Sequence, residues 1–475
     1  TGRSQRCTRS RSIVDRPTAR TASGGEASEP FRERNALFRA VESRDVSNEA
    51  SGSLALFRDA EFLALAGTAF ARSQAYSTIA IALALYADIF ATSGTIEGLF
   101  GTAFAVVQLI IVLPLGRAID TGNAKRYLLV GLVLNVCVFV GFAFVDTVAH
   151  VVLMRVFQGL GASILWITGS TVVGEISPDD QRGQWLGTYN QVGAFSSLAG
   201  DLVGGFLLAT SGFVLTYSVL AGVTILASVG VLLFLRDDPG GQADPEEATG
   251  VETFRLLLGR SAIRALVAFR LGLSFGKMAV ILFLPIYART AFGMSPVLVG
   301  GILAGGKLTK SLTQGIVGSY TDELGHKHYF VFVGAVLYAL GAAIIPFAEY
   351  AAGVFAPVTV ALGSRAVTLP PAFFPLFGAF AVCGVADSLR LPASMALFVE
   401  EGEHYDAVAG SLSLRSIAWK VGQVVGPVTV GALWDATSVF VAFFTAGAFI
   451  AVAAAVFLSL YRVEPAPDRV PAAGD

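Results

Sequence analysis

The stretches Gly116-Arg-Ala-Ile-Asp120 and Gly318-Ser-Tyr-Thr-Asp322 each end a long hydrophobic run of this chain. A short polar turn with basic residues follows each of them, with Lys125 and Arg126 in the first turn and Lys327 in the second. The Gly and the Asp both recur after 202 residues (318 − 116 and 322 − 120). A repeat at this distance predicts two halves built on one plan.

The composition indicates a membrane protein. Of the 475 residues, 54% are hydrophobic and 14% are charged, and the mean hydropathy is +0.67. Soluble domains carry about 25% charged residues, so the expected surroundings are a lipid bilayer. The formal net charge of −2 favours no nucleic-acid partner, and the three scattered cysteines, Cys7, Cys137 and Cys383, predict neither a disulfide framework nor a metal site.

Changes in composition divide the chain into five parts. The first part is rich in Arg and Ser and has no sustained apolar face, which predicts a disordered cytoplasmic tail, with a transit peptide as the alternative. Acidic residues from Asp237 to Glu252 indicate a solvated linker. The predicted domains are a tail at 1–58, a six-helix bundle at 59–235, a cytoplasmic linker at 236–261, a second six-helix bundle at 262–461, and a disordered tail at 462–475.

Twelve apolar segments are long enough to cross a bilayer, which takes roughly 20 helical residues. None of them alternates as a strand would, so the predicted fold is an all-α membrane protein with twelve spans in two pseudo-symmetric bundles. The predicted spans are 63–90, 95–117, 127–146, 150–175, 185–210, 213–235, 263–291, 296–319, 329–348, 372–399, 408–434 and 438–460.

The distribution of Lys and Arg over the loops predicts the orientation, because these residues favour the cytoplasmic side. Lys125, Arg126, Arg182 and Lys327 lie in loops that would share one side with the linker and both termini. The loops on the other side have few basic residues. Both termini are therefore predicted to lie in the cytoplasm. The predicted location of the protein is the cell membrane.

With this layout, the first turn resembles the signature loop of the major facilitator superfamily. That loop runs Gly, three residues, Asp, a basic residue, any residue, Gly, and then basic residues. Thr121 occupies the position of a basic residue, and Asn123, which tolerates a left-handed turn, replaces the second Gly. The resemblance implies gating loops that lock the two halves together. They comprise Gly116, Asp120, Lys125, Arg126, Gly318, Asp322 and Gly325.

Two further segments resemble motifs of the same family. The fourth span contains Arg155-Val-Phe-Gln158-Gly159, which is similar to the family's fourth-span motif. The fifth span resembles the glycine-rich motif of the drug:proton antiporters, although Asp201 replaces its Pro. Small residues in the fifth and eleventh spans predict close helix packing, at Gly200, Gly204, Gly205, Gly422, Gly426 and Pro427.

Asp201 lies inside a predicted span, where an acid is costly unless it is paired or solvated. The resemblance associates Arg155 with proton coupling, and counting along spans 4 and 5 places both residues in the outer half of the membrane. We therefore expect Arg155 and Asp201 to form a pair or to share a hydrated pocket, with Asp201 as the group that exchanges protons.

Four of the six lysines fall inside predicted spans of the second half, where Arg270 and Arg415 join them. Lipid-facing cations at such depth are costly, so these residues are expected to line a cavity for an anionic substrate, or else to pair with Asp387. The predicted cavity comprises Arg72, Gln158, Lys277, Lys307, Lys310, Asp387 and Lys420.

Together the motifs predict a transporter rather than an enzyme, without a cofactor and monomeric in the bilayer. The resemblance implies that two bundles rock about a site between them and so move a small organic molecule across the membrane. The predicted mode of transport is proton-coupled efflux. The alternative is uptake of a small organic anion by a symporter or uniporter. The coupling ion is expected to be H⁺, or Na⁺ in its place.

Overall fold

A computed structural model describes residues 55–120, 122–178, 181–237, 251–362, 365–405 and 407–461. Most of both predicted tails and the middle of the linker lie outside these residues. A single 3₁₀ turn at Leu56–Arg58 precedes the first long helix.

The first half consists of five long helices. The fifth has 53 residues and covers two of the predicted spans, because only Gly212 departs from helical geometry, with φ 71° and ψ −169°. A positive φ favours glycine, which accounts for the break at this position. The helices are α1 (Ala60–Ile89), α2 (Gly94–Asp120), α3 (Ala124–Ala143), α4 (Val148–Ile176) and α5 (Arg182–Phe234).

The second half begins with a short helix, α6 (Val251–Leu258), in the predicted linker. Six long helices follow it. They are α7 (Ser261–Thr290), α8 (Pro296–Leu324), α9 (Lys327–Ile344), α10 (Phe373–Glu403), α11 (Val408–Ala436) and α12 (Val439–Leu460).

Local sequence signals define several helix ends. The side chains of Asp59, Asn123 and Ser438 each accept a hydrogen bond from the backbone N–H three residues further on, as N-caps do. Asn123 has φ −80° and ψ 106°, so it does not use the left-handed conformation that Asn tolerates and caps α3 instead. Gly325 does adopt the left-handed conformation, with φ 67°, and ends α8.

The segment between α9 and α10 contains regular secondary structure that the apolar pattern of the sequence does not predict. A 3₁₀ helix at Ile345–Gly353 is followed by an antiparallel hairpin of β1 (Val358–Leu362) and β2 (Arg365–Leu369). Val360 lies opposite Val367 in this pair, so β-branched residues face one another across the strands.

Eight helices among the described residues are long and apolar enough to cross a membrane: α2, α3, α4, α5, α7, α10, α12, and α9 with the 3₁₀ helix after it. The same helix pairs contact each other in both halves. In the first half α4 packs against α2 and α3, and in the second α10 packs against α8 and α9. Between the halves, α2 packs against α11, α5 against α8, and α1 against α7.

Candidate functional site

The contacts between the halves are tight at one end of the molecule, which we call the sealed end and define by Gly94 and Asp435. The Asp435 carboxylate accepts hydrogen bonds from the backbone N–H groups of Gly94 (2.6 Å) and Thr95 (2.8 Å) and from the Thr95 hydroxyl (2.6 Å). An acid of the second half thus satisfies the free N–H groups at the start of α2. Thr95 therefore bonds across the halves through both its backbone N–H and its hydroxyl.

Glycine allows α2 to lie directly against α11 at this end. A methyl group added to Gly98 would come within 2.6 Å of the Pro427 carbonyl oxygen and 2.7 Å of the Val428 Cα. Nearby, the Thr102 hydroxyl donates to the Val424 carbonyl at 2.7 Å. Contacts this close leave no room for water between the two helices.

An ion pair between α1 and α7 also closes the sealed end. The Arg289 guanidinium lies 2.9 Å from the Asp88 carboxylate and donates a further hydrogen bond to the Met294 carbonyl at 3.1 Å. Both charged side chains are partly exposed, so we expect this pair to add only about 0–1 kcal/mol to stability.

The opposite end carries the turns at Gly122 and Gly325, and we call it the turn end. In the described residues, a methyl group added to Gly116 of α2, Gly187 of α5 or Gly315 of α8 would meet no atom within 4 Å. These positions therefore differ from Gly98 at the sealed end of the interface between the halves, which we call the seam.

A small cavity lies in the seam, and we call it the central cavity. Both halves line it: Tyr76 and Arg155 from the first, and Met278, Leu282 and Gln423 from the second. Its volume of about 30 Å³ admits water but not an organic solute, so in this conformation the cavity marks a place where the two bundles face each other.

An ion pair joins the halves beside this region. The Lys307 ammonium of α8 lies 2.5 Å from the Asp201 carboxylate of α5, which is 0% exposed. Lys307 also donates to the Ser77 hydroxyl at 2.8 Å and to the Ser197 carbonyl at 3.3 Å. Three residues of the first half therefore hold one lysine of the second.

The expected ion pair between Arg155 and Asp201 is absent from this conformation, in which both residues are described. Arg155 instead donates to the Phe100 carbonyl at 2.8 Å and to the Gln158 side chain at 2.5 Å, and its guanidinium lies over the Phe104 ring. All of these partners belong to the first half. Asp201 has a partner in the other half because it faces the seam, where Lys307 is the cation that it meets.

Asp387 neutralises two cations within the second half. Its carboxylate forms ion pairs with Lys277 of α7 and with Arg390 one turn along α10. Of the two expectations for Lys277, a substrate cavity or an ion pair with Asp387, this arrangement is the ion pair. Lys310, one turn beyond Lys307 on α8, is half-buried and has no ion pair among the described residues.

Lys420 and Arg72 have neutral partners. The Lys420 ammonium donates to the Gln108 side chain across the seam, and so contacts the first half. The Arg72 guanidinium lies 4.2 Å from the centre of the Trp166 ring, and its Nη1 atom has no hydrogen-bond partner among the described residues. Gln158 supports Arg155, as described above.

The residues predicted as gating loops make contacts within their own halves in this conformation. Lys125 donates to the Leu235 carbonyl at 2.6 Å and pairs with Asp237 at 3.0 Å, so it binds the C-terminal end of α5. Arg126 is exposed at the start of α3. The side chain of Asp120, the surroundings of Gly318, and the side chain of Asp322 lie outside the described residues.

The predicted packing residues lie at close helix contacts. A methyl group added to Gly200 would come within 2.8 Å of the Gln74 Cα, and one added to Gly422 within 2.8 Å of the Phe275 nitrogen. The others make comparable approaches: Gly204 to Thr78, Gly205 to Pro296, Gly426 to Phe275, and Pro427 to Gly98.

Sequence reasoning missed several polar residues of the seam. Ser77, Gln108 and Asp435 gave no signal, because single Ser or Gln residues in a span and an Asp at a span end are common. The pair of Asp88 and Arg289 could have been suspected from Arg289, a basic residue on the side with few basic residues.

A sequence model described as the Major Facilitator Superfamily matches residues 65–373 and 273–475. The chain belongs to the major facilitator superfamily. It is therefore a multi-pass membrane protein of a family of secondary transporters for small molecules.

Relatives over most of the chain are similar at low identity. An uncharacterised MFS-type transporter of Methanocaldococcus jannaschii is 21% identical over 373 residues, which are 78% of this chain and 89% of that protein. Multidrug resistance protein 1 of Bacillus subtilis is 22% identical over 346 residues, 72% of this chain and 82% of that protein. The riboflavin transporter RibZ of Clostridioides difficile is 23% identical over 274 residues, 48% of this chain and 60% of that protein.

Solved transporters share the fold. A bacterial homologue of the human lysosomal transporter Spinster, crystallised in an inward-facing and unoccupied conformation, superimposes with a TM-score of 0.68 at 15% identity, over 84% of this chain and 96% of that one. The nucleoside transporter NupG gives a TM-score of 0.67 at 14% identity, over 84% of this chain and all of that one (100%).

Proposed function

We propose that this protein is a secondary active transporter that exports a small organic molecule by alternating access, coupled to protons. Twelve helical segments would cross the bilayer. Eight helices meet the criteria of length and apolarity, and α5 counts twice because of its break at Gly212. The other three are α1, α8 and α11, which carry many of the polar residues of the seam and are less apolar for that reason.

The proposed orientation places the turn end in the cytoplasm, together with both termini. Lys125, Arg126 and Lys327 lie at the turn end, which agrees with the cytoplasmic preference of basic residues. The sealed end would then face outward, and the central cavity would open to the cytoplasm. This arrangement corresponds to the state that collects a substrate for export.

The contact between Asp201 and Lys307 is the observation that carries the proposed coupling. A carboxylate with 0% exposure pairs there with a lysine of the opposite half. Rocking of the two halves must break this pair and leave a buried charge unpaired, at considerable cost. Protonation of Asp201 would remove that charge, so that a proton taken up on one side permits the halves to separate. Na⁺ beside the carboxylate would serve the same purpose.

Transport in inverted membrane vesicles tests the proposal. Vesicles that are acidic inside are offered a panel of radiolabelled organic solutes, and vesicles without the protein serve as the control. Proton-coupled export predicts that a solute accumulates inside, and that a protonophore abolishes the accumulation. If every solute that the protein moves only equilibrates, whatever the pH or Na⁺ gradient, active transport is excluded.

Uptake of an organic anion is the second candidate, and the cations of the second half favour it. Lys310 has no ion pair among the described residues, and Arg270 and Arg415 lie within electrostatic range of each other. The same vesicles distinguish the two directions, because a symporter for uptake would empty preloaded vesicles that are acidic inside.

A further inference from the structure

One face of α11 leads from the central cavity towards the turn end. Arg415, Trp419 and Gln423 follow each other at intervals of four residues, which places them on the same side of the helix. Gln423 lines the central cavity, and its Oε1 atom has no hydrogen-bond partner among the described residues. This face of α11 therefore runs from the central cavity at Gln423 past Trp419 and Arg415 towards the turn end.

Arg270 of α7 meets this face. Its guanidinium lies 4.1 Å from the centre of the Trp419 ring, and only 7% of the residue is exposed. The Nε atoms of Arg270 and Arg415 are both buried, and neither has a hydrogen-bond partner in the described part of the chain. Buried N–H donors are nearly always satisfied, so two unsatisfied guanidinium donors side by side indicate a missing acceptor.

The charge around these donors is unbalanced. Arg270 lies within electrostatic range of Arg390 and Arg415, and Lys310 lies within range of Lys277 and Asp387. The acid in this group, Asp387, is already paired with Lys277 and Arg390. Three neighbouring arginines, Arg270, Arg390 and Arg415, against one carboxylate that also pairs with Lys277 leave an excess of positive charge in a low-dielectric region, where it attracts an anion strongly.

We propose that Arg270 and Arg415 bind an oxyanion, the carboxylate or phosphate group of an organic substrate; we call this the Arg270–Arg415 site. This assignment rests on the proposed function and names its substrate class. Planar guanidinium groups suit the two-pronged acceptor geometry of these anions. The uncharged part of the substrate would extend past Gln423 into the central cavity, where Met278 and Leu282 provide apolar walls.

Anion-dependent thermal stabilisation of the purified full-length protein tests the site. Benzoate and inorganic phosphate are the anionic probes, and tetraphenylphosphonium is the cationic probe. Benzoate or phosphate should raise the melting temperature of the native protein, and R270Q and R415Q should require at least about tenfold more anion for the same rise. R264Q is the matched control, because Arg264 is an exposed arginine on the same helix and should leave the response unchanged.

The melting temperature without anion gives a second readout. R270Q removes a repelled and incompletely satisfied cation, so it should melt no lower than the native protein, whereas a purely structural Arg270 would lower the melting temperature when replaced. Absence of any anion response, an unchanged response in both R270Q and R415Q, or a response to tetraphenylphosphonium alone would overturn the assignment.

The two proposals fail in different ways. If gradient-driven transport occurs in vesicles but anions do not bind at Arg270 and Arg415, the transporter stands and the substrate class is wrong. If anions bind as described but no gradient drives their movement in the native protein, the site stands and active transport is wrong.

Discussion

At the scale of single residues, Asp201 shows what the sequence could and could not predict. An acid inside an apolar span is conspicuous, and the structure places it in the seam with 0% exposure. Its partner was predicted to be Arg155 but is Lys307, 106 positions away (307 − 201). The partner depends on how the two halves meet, and no periodicity within a single span encodes that arrangement.

Replacement of Asp201 by Asn should abolish gradient-driven accumulation, while exchange of solute between the two sides continues. The Asn side chain cannot take up and release a proton, so the halves lose the dependence on protonation that we propose. Accumulation and counterflow in proteoliposomes measure the two activities separately. Glu323→Gln, an exposed neutral replacement on α8, is the control. Unchanged accumulation with an unchanged pH profile in Asp201→Asn would disprove the proposed coupling role.

Asp387 should matter for stability. Asp387→Asn leaves Lys277 and Arg390 without their counterion, and loss of one partner of a buried ion pair costs about 3–5 kcal/mol. The free energy of unfolding in detergent should fall accordingly, and the double variant Asp387→Asn with Lys277→Met should recover part of it. A double variant as unstable as the sum of its single changes would show that Lys277 and Asp387 do not interact.

At the scale of elements, the helices were largely predictable and the hairpin was not. Each of the twelve predicted spans coincides with helical residues, because hydrophobic length is a strong signal in a membrane protein. The predicted fifth and sixth spans form one long helix, in which only Gly212 departs from helical geometry. The hairpin at Val358–Leu369 was missed because two five-residue strands give a weak signal beside runs of twenty apolar residues.

The close approach of α2 to α11 makes a prediction at this scale. Gly98→Val should prevent the sealed end from closing, because its branched side chain would overlap Pro427 and Val428. Gradient-driven transport should fall to the background of protein-free vesicles. Gly222→Val, at an exposed helical glycine of α5 without an atom within 4 Å of the added methyl position, should keep most of the native rate. Equal rates for the two variants would contradict the need for this contact.

At the scale of the whole molecule, the two halves are joined by a seam that is closed at the sealed end. Asp435, Asp88 with Arg289, and the glycine contacts of α2 hold the sealed end, while Asp201 and Lys307 join the halves beside the central cavity. The contacts at the sealed end are local and can exchange, whereas the buried pair of Asp201 and Lys307 is costly to break unless Asp201 is protonated. We therefore expect one site between the halves to open first to one side of the membrane and then to the other.

Accessibility of one cysteine in the central cavity tests that claim most directly. The reporter is Leu282→Cys in a background with Cys7, Cys137 and Cys383 replaced, since Leu282 lines the cavity. A membrane-impermeant maleimide should label it in inside-out vesicles and not in right-side-out vesicles, because the sealed end, which we propose to face outward, closes the seam on that side. With Gly98→Val added, labelling should move to the right-side-out vesicles. Labelling from both sides at once, or from the same side in both proteins, would contradict alternating access.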